Sequence, residues 1–191
     1  MKAPKTKDLE VAAPNDDERT SAIGLTRYAY EYLEAAMVVD EHCGAAPQYS
    51  HISPTPAYYL LSHSVELTLK SYLRHCGITV KQLSSREYGH DLNASYQKAK
   101  ELGLQNLFHP TEDDTRALAM LVAINESHEL RYIRTGLKEF PSWAIVEPFA
   151  VRLHQAVSPH VGYKSFTTAY PATPETARRP YISDVPRRVP R

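Results

Sequence analysis

Cysteine is nearly absent from this chain of 191 residues: Cys43 and Cys76 are its only two. Two are too few for a disulfide framework and suit a reducing compartment. Glycine is scarce at seven residues, and no Gly-rich phosphate loop, G-x-S-x-G elbow or H-E-x-x-H pair occurs. The common nucleotide-fold, hydrolase and metalloprotease readings therefore lack support. Net charge is missing too, because 22 Lys and Arg offset 22 Asp and Glu. No global field draws the chain to nucleic acid or an anionic membrane, so any RNA contact must come from a local patch. No apolar run approaches the roughly 18 residues of a membrane span. The charged start (Lys2, Lys5, Lys7, Asp16, Asp17, Glu18) is unlike a secretory leader. These absences point to a cytoplasmic protein with no membrane contact.

What is present reads as globular: 42% hydrophobic and 23% charged residues suit one domain with a real core. Residues 1–15 lack periodic apolar content and read as a flexible lead-in. From Asp16 to about His42, Ile23, Thr26, Ala29, Tyr30, Leu33, Ala36 and Met37 recur at helical steps. A second helix is expected from Ser53–Pro56 to Cys76, stopping at Gly77, with Ile78 to Tyr88 as a connector. Gly89-His90-Asp91 opens a shorter helix ending at Gly103. Thr111 with Asp114 reads as a capping box for a helix reaching about Tyr132. A last helix is expected over about Ala144 to Val157, with Val146, Phe149, Ala150 and Leu153 on one face. Pro148 is awkward there unless the helix starts at it. Residues 158–191 are Pro-rich and basic (Arg178, Arg179, Arg187, Arg188, Arg191) and cannot build a core. The pattern is all-α, an antiparallel bundle of four or five helices over 16–157.

Two polar stripes interrupt the apolar pattern. On the second helix, Ala57, Leu61, Val65, Thr68, Leu69 and Tyr72 share one face, and a narrow sector holds His63, Glu66, Lys70 and Arg74. That sector is either an exposed ladder with Glu66 paired to Lys70 or the wall of a site. On the fourth helix, Leu118, Leu121 and Val122 are followed on the same face by Asn125, His128, Glu129 and Tyr132. Such groups are costly to bury alone, so they are paired, hydrated or used. Asn125, His128 and Arg131 form a candidate acid–base set. The pairs His42-Cys43 and His75-Cys76 lie at helix C-termini, where antiparallel helices would hold them apart, so no metal site is expected.

The run Ala57-Tyr-Tyr-Leu-Leu-Ser-His-Ser-Val-Glu-Leu-Thr-Leu-Lys-Ser-Tyr-Leu-Arg74 resembles the second helix of stand-alone bacterial HEPN proteins. The similarity continues through Gly77, Gly89-His90-Asp91-Leu92 and Glu129-Leu-Arg-Tyr132, and covers about residues 20–157. The resemblance implies an antiparallel bundle that dimerises. It also implies metal-independent RNA cleavage or RNA or nucleotide binding, in toxin–antitoxin, phage-defence or stress settings. Catalytic members carry an arginine and a histidine with about four to six residues between them. Here Arg86 and His90 are separated by three residues, and Arg152 and His160 by seven. The resulting expectation is a homodimeric, cofactor-free HEPN-like protein that binds RNA or a nucleotide without that pair. The binding residues named by this reading are His63, Glu66, Lys70, Arg74, His90, Asp91, Glu129 and Tyr132. A divergent ribonuclease using Asn125, His128 and Arg131, and a scaffold for a partner protein, are the alternatives.

Overall fold

The computed structural model describes residues 15–43, 53–85, 88–126 and 140–164. Among them every regular element is helical. The order is α1 (Asp16–Arg19), α2 (Ala22–Cys43), α3 (Thr55–His75), α4 (Val80–Leu83), α5 (Leu92–Glu101), a 3-10 turn (Leu104–Asn106), α6 (Glu112–Glu126) and α7 (Trp143–His160).

Helix α3 is the hub, packing on α2, α5 and α7. Its apolar face (Ala57, Leu61, Val65, Leu69, Tyr72) is buried as the periodicity predicts. It runs antiparallel to α2. Ser71 Oγ donates to Ala22 O at one end, and Ser64 Oγ donates to Ala29 O (2.7 Å) further along. Small residues line this contact (Ala29, Ala36, Ser64, Ser71, all fully buried). The hydroxyls that reach across it stand where leucines would hold the helices apart. Helices α5, α6 and α7 close the other side, with Phe149, Leu153, Leu121 and Leu104 in the shared core.

Local chemistry explains most boundaries. Gly77 and Gly103 follow α3 and α5 with φ of +93° and +98°, the left-handed stop that glycine adopts at low cost. At α6 the Thr111 box forms as expected: Asp114 Oδ2 accepts from Thr111 N (2.7 Å), and Thr111 Oγ1 accepts from Asp114 N (3.2 Å).

Four boundaries differ from the sequence reading. Asn15 is not part of a loose lead-in, since it caps α1 in a box with Glu18. The first long helix is broken after Arg19. The Arg74 guanidinium holds the break, donating to Thr20 O (3.0 Å) and Asp17 O (2.7 Å). The connector after Gly77 contains α4, capped by Thr79 and Gln82. The pattern Thr79-x-x-Gln82 is a capping signature the sequence carried. The last helix starts at Trp143 and runs to His160, past Val157. Pro148 sits in its second turn, where only the exposed Ala144 loses a helical hydrogen bond. The folded unit therefore extends past 157, with Val161 buried and Tyr163 packed on the core. The basic segment beyond residue 164 lies outside the described residues.

Candidate functional site

The narrow polar sector of α3 converges on a carboxylate inside the bundle. Glu66 is only 4% exposed. Lys70, one turn on, donates its ammonium to Glu66 Oε1 (2.8 Å) and to Gly89 O (2.7 Å). One turn back, His63 Nδ1 stands 3.6 Å from Glu66 Oε2, and His90 from the loop before α5 brings Nδ1 within 3.3 Å of Oε1. Burial works to raise the Glu66 pKa, but the contact with His63 and the charge and hydrogen bond of Lys70 outweigh it. The result lies at about 2. Glu66 is therefore a permanent buried anion with basic groups from two elements around it.

The loop that delivers His90 is held on both sides. Asn125 Nδ2 donates to His90 O (2.6 Å), tying the end of α6 to the start of α5. Gly89 N donates to Ser85 O (2.7 Å), and a Cβ at Gly89 would lie 2.8 Å from that same oxygen. Only glycine allows this approach. Asp91 accepts from Ala94 N (2.8 Å), the cap that starts α5.

Against His63 stand two tyrosine rings. Tyr32 meets it edge-on with centroids 4.5 Å apart, and Tyr59 lies nearly parallel at 6.3 Å. Because each imidazole turns Nδ1 to the carboxylate, its Nε2 lies on the opposite side of the ring. The side chain of His63 is 28% exposed and that of His90 is 61% exposed. A carboxylate-oriented imidazole can give or take a proton at Nε2, or donate a hydrogen bond to an anion when protonated.

The sequence-derived candidates thus divide into three groups. His63, Glu66, Lys70, His90 and Asn125 meet at one place. Arg74 does not join them, because it lies at the α1–α2 end of α3, paired with Asp17 Oδ1 (3.3 Å) and hydrogen-bonded to backbone carbonyls. Asp91 touches the neighbourhood only as a cap. His128, Glu129, Arg131 and Tyr132 lie outside the described residues, and with them two members of the candidate acid–base set. The third, Asn125, binds the His90 carbonyl.

Sequence reading placed Thr26 and Thr68 among apolar positions and missed that they belong to a second polar layer. Thr26, Ser64, Thr68 and Ser71 line the α2–α3 contact, and His154 from α7 faces it, all at most 1% exposed. Thr68 Oγ1 is 3.3 Å from His154 Nδ1, and Tyr30 stacks on the same imidazole at 5.8 Å. Burial lowers the His154 pKa to about 4, so the ring is neutral at pH 7. The signal was the spacing Ser64, Thr68, Ser71, a stripe of its own on α3. A buried ion pair was missed as well: the Arg152 guanidinium donates to the Asp114 carboxylate and lies over the Phe108 ring.

The antiparallel α2–α3 pair puts His42-Cys43 and His75-Cys76 at opposite ends, and both cysteines are free and exposed. Among the described residues no group of three or more His, Cys, Asp or Glu is placed to hold a metal ion, and no helix is long and apolar enough to cross a membrane. No protein-family model, curated protein or solved structure matches the chain.

Proposed function

We propose that the chain is a HEPN-like helical module that binds RNA or a nucleotide through the face carrying His63 and His90. One observation carries this reading: two partly exposed imidazoles on different elements share one buried carboxylate, with tyrosine rings beside the first. Imidazoles supply phosphate contacts and tyrosines supply stacking surfaces, which is the chemistry that holds a single strand. Two of the segments that carry the HEPN resemblance, Ala57–Arg74 and Gly89–Leu92, meet through the Lys70–Gly89 and Glu66–His90 contacts. Association into a homodimer belongs to the same reading and is checked by light scattering.

A second reading is favoured by the same pair. One imidazole could take the proton of a ribose 2′-hydroxyl while the other protonates the departing 5′-oxygen, cutting RNA without a metal. This assigns acid–base work to His63 and His90 rather than to Asn125, His128 and Arg131.

Fluorescence anisotropy with labelled single-stranded RNA at several salt concentrations tests the first reading. Affinity should fall as salt rises, and His63→Ala with His90→Ala should weaken it by about tenfold. Affinity indifferent to both substitutions would remove the proposal. Incubation with RNA and a chelator tests the second: cleavage lost in either histidine variant supports it, and intact RNA with wild-type protein rejects it. A stable complex with a protein partner that forms without RNA would favour the scaffold alternative.

A further inference from the structure

Between α5 and α6 runs an open groove of about 510 Å³ whose lining includes none of Glu66, His63 and His90. Its two walls differ in kind. Helix α5 contributes Asn93, Tyr96, Gln97 and Lys100, which share one helical face. Helix α6 contributes Leu118 and Val122 together with the row Thr115, Ala119 and Ala123. That row repeats every four residues, and its short side chains keep the space open. The volume is within the range of small-molecule sites, about 300–1,000 Å³.

The polar wall is itself graded along its length. At one end Gln97 Nε2 donates to Asn93 Oδ1 (3.3 Å). That bond leaves the Asn93 amide hydrogens and the Gln97 carbonyl as an adjacent donor and acceptor. Tyr96 forms the middle of the wall. At the other end Lys100 carries its ammonium over the Tyr96 ring, 5.6 Å from the centroid. Lys100 follows Asn93 by seven helical steps, roughly 10 Å of axial rise at about 1.5 Å per residue. The Asn125–His90 bond at one end, with the Asp114 charge acting on Tyr96 further along, sets α6 antiparallel to α5. Thr115 therefore lies at the Lys100 end, and Val122 with Ala123 at the amide end. The acidic residues at the start of α6 are outside the lining, and Asp113 is paired with Arg116 (3.3 Å).

We infer that this groove is a binding site for a nucleoside monophosphate unit. The Asn93–Gln97 pair reads the hydrogen-bonding edge of the base, Leu118 and Val122 cover its flat face, and Lys100 with Thr115 takes the phosphate. A planar body with a donor–acceptor edge at one end and an anion at the other matches the order of groups along the wall. The unit is either a free nucleotide or the phosphorylated end of a strand. This site does not rest on the RNA reading of His63 and His90, because its residues and its probe are different.

Calorimetric titration of the full chain with uridine and adenosine 5′-monophosphates tests it. Saturable binding is expected for wild type. Lys100→Ala should weaken it at least fivefold, on the order of 1 kcal/mol, and Lys100→Arg should restore most of it. Ala119→Trp should abolish it, since Ala119 is exposed and the indole would fill the groove without entering the core. Matching thermal melts for each variant separate these effects from misfolding. The inference is overturned if neither mononucleotide binds saturably at millimolar concentration, or if Ala119→Trp and Lys100→Ala bind as wild type does. Competition with a 5′-phosphorylated tetranucleotide then names the source: displacement identifies a strand end, and its absence identifies a free nucleotide. Loss of RNA affinity in the histidine variants with mononucleotide binding intact would concern the His63–His90 site alone.

Discussion

His63 and His90 share a carboxylate: one approaches Glu66 Oε2 and the other Glu66 Oε1, each through Nδ1. The first rides on α3 and the second on the loop before α5, so the pair exists only while those elements stay docked. Lys70 reinforces the docking by reaching Gly89 O from α3. The site and the stability of this corner are one structure, and the following predictions separate them.

Glu66→Gln removes the charge that Lys70 and both imidazoles face. The folded-state pKa of about 2 lies below the ordinary glutamate value of 4.5. The ionised form therefore stabilises the fold above about pH 4.5, and that stabilisation is lost as pH falls toward 2. The shift corresponds to about 3 kcal/mol at neutral pH. Urea unfolding at pH 7 should show a loss of about 2–4 kcal/mol in the variant. The gap to wild type should close as pH is lowered through that window, and a gap independent of pH would refute the assignment.

His154 gives the opposite end of the acid profile. Burial sets its pKa at about 4 against an ordinary 6.5. The unfolded chain binds the proton first, so stability should fall as pH drops from about 6.5 to 4. His154→Gln should flatten that part of the curve while leaving the lower window, where Glu66 titrates, in place. Persistence of the wild-type slope in the variant would show that another group causes it.

Gly89→Ala tests the loop that carries His90. The added Cβ would sit 2.8 Å from Ser85 O, so the backbone must shift. Stability should fall by about 1–3 kcal/mol as the Lys70–Gly89 bond lengthens. RNA affinity should fall with it, while Asp91→Ala, a change to the α5 cap, should cost stability alone. Equal effects of the two variants on affinity would contradict this division.

Asp114→Ala leaves the mostly buried Arg152 guanidinium without its carboxylate and removes the carboxylate half of the Thr111 capping box at once. A loss of about 3–5 kcal/mol is expected. Replacing both residues, Asp114→Ala with Arg152→Met, should recover part of it, giving a coupling above about 1 kcal/mol in a double-mutant cycle. Strict additivity would show that the pair does not interact energetically.

Much of this was written locally. Apolar spacing placed α2, α3, α6 and α7, Gly77 and Gly103 marked two stops, and Thr111 with Asp114 marked a start. On α3 the narrow sector of His63, Glu66 and Lys70 was visible because a single helix arranges its own faces. Arg74 belonged to that sector by angle alone. Its partners lie on α1, the α1–α2 turn and the turn after Gly77, which no helical projection of α3 contains. Asp91 looked like a ligand and is a cap. Thr68 stood on the apolar face of the sequence pattern, and Ser64 and Ser71 were passed over, because a small hydroxyl's role depends on what faces it, and here that is Ala22, Ala29, Thr26 and His154.

The sequence by itself determined an all-helical chain with an amphipathic central helix and a polar strip along it, since helical periodicity and capping act within a few residues. Only the tertiary structure decided that Glu66 lies inside the bundle, that His90 and Asn125 join it, and that a groove opens between α5 and α6. Those outcomes depend on how separate helices pack, and the energy of a buried charge is fixed by the neighbours that packing supplies.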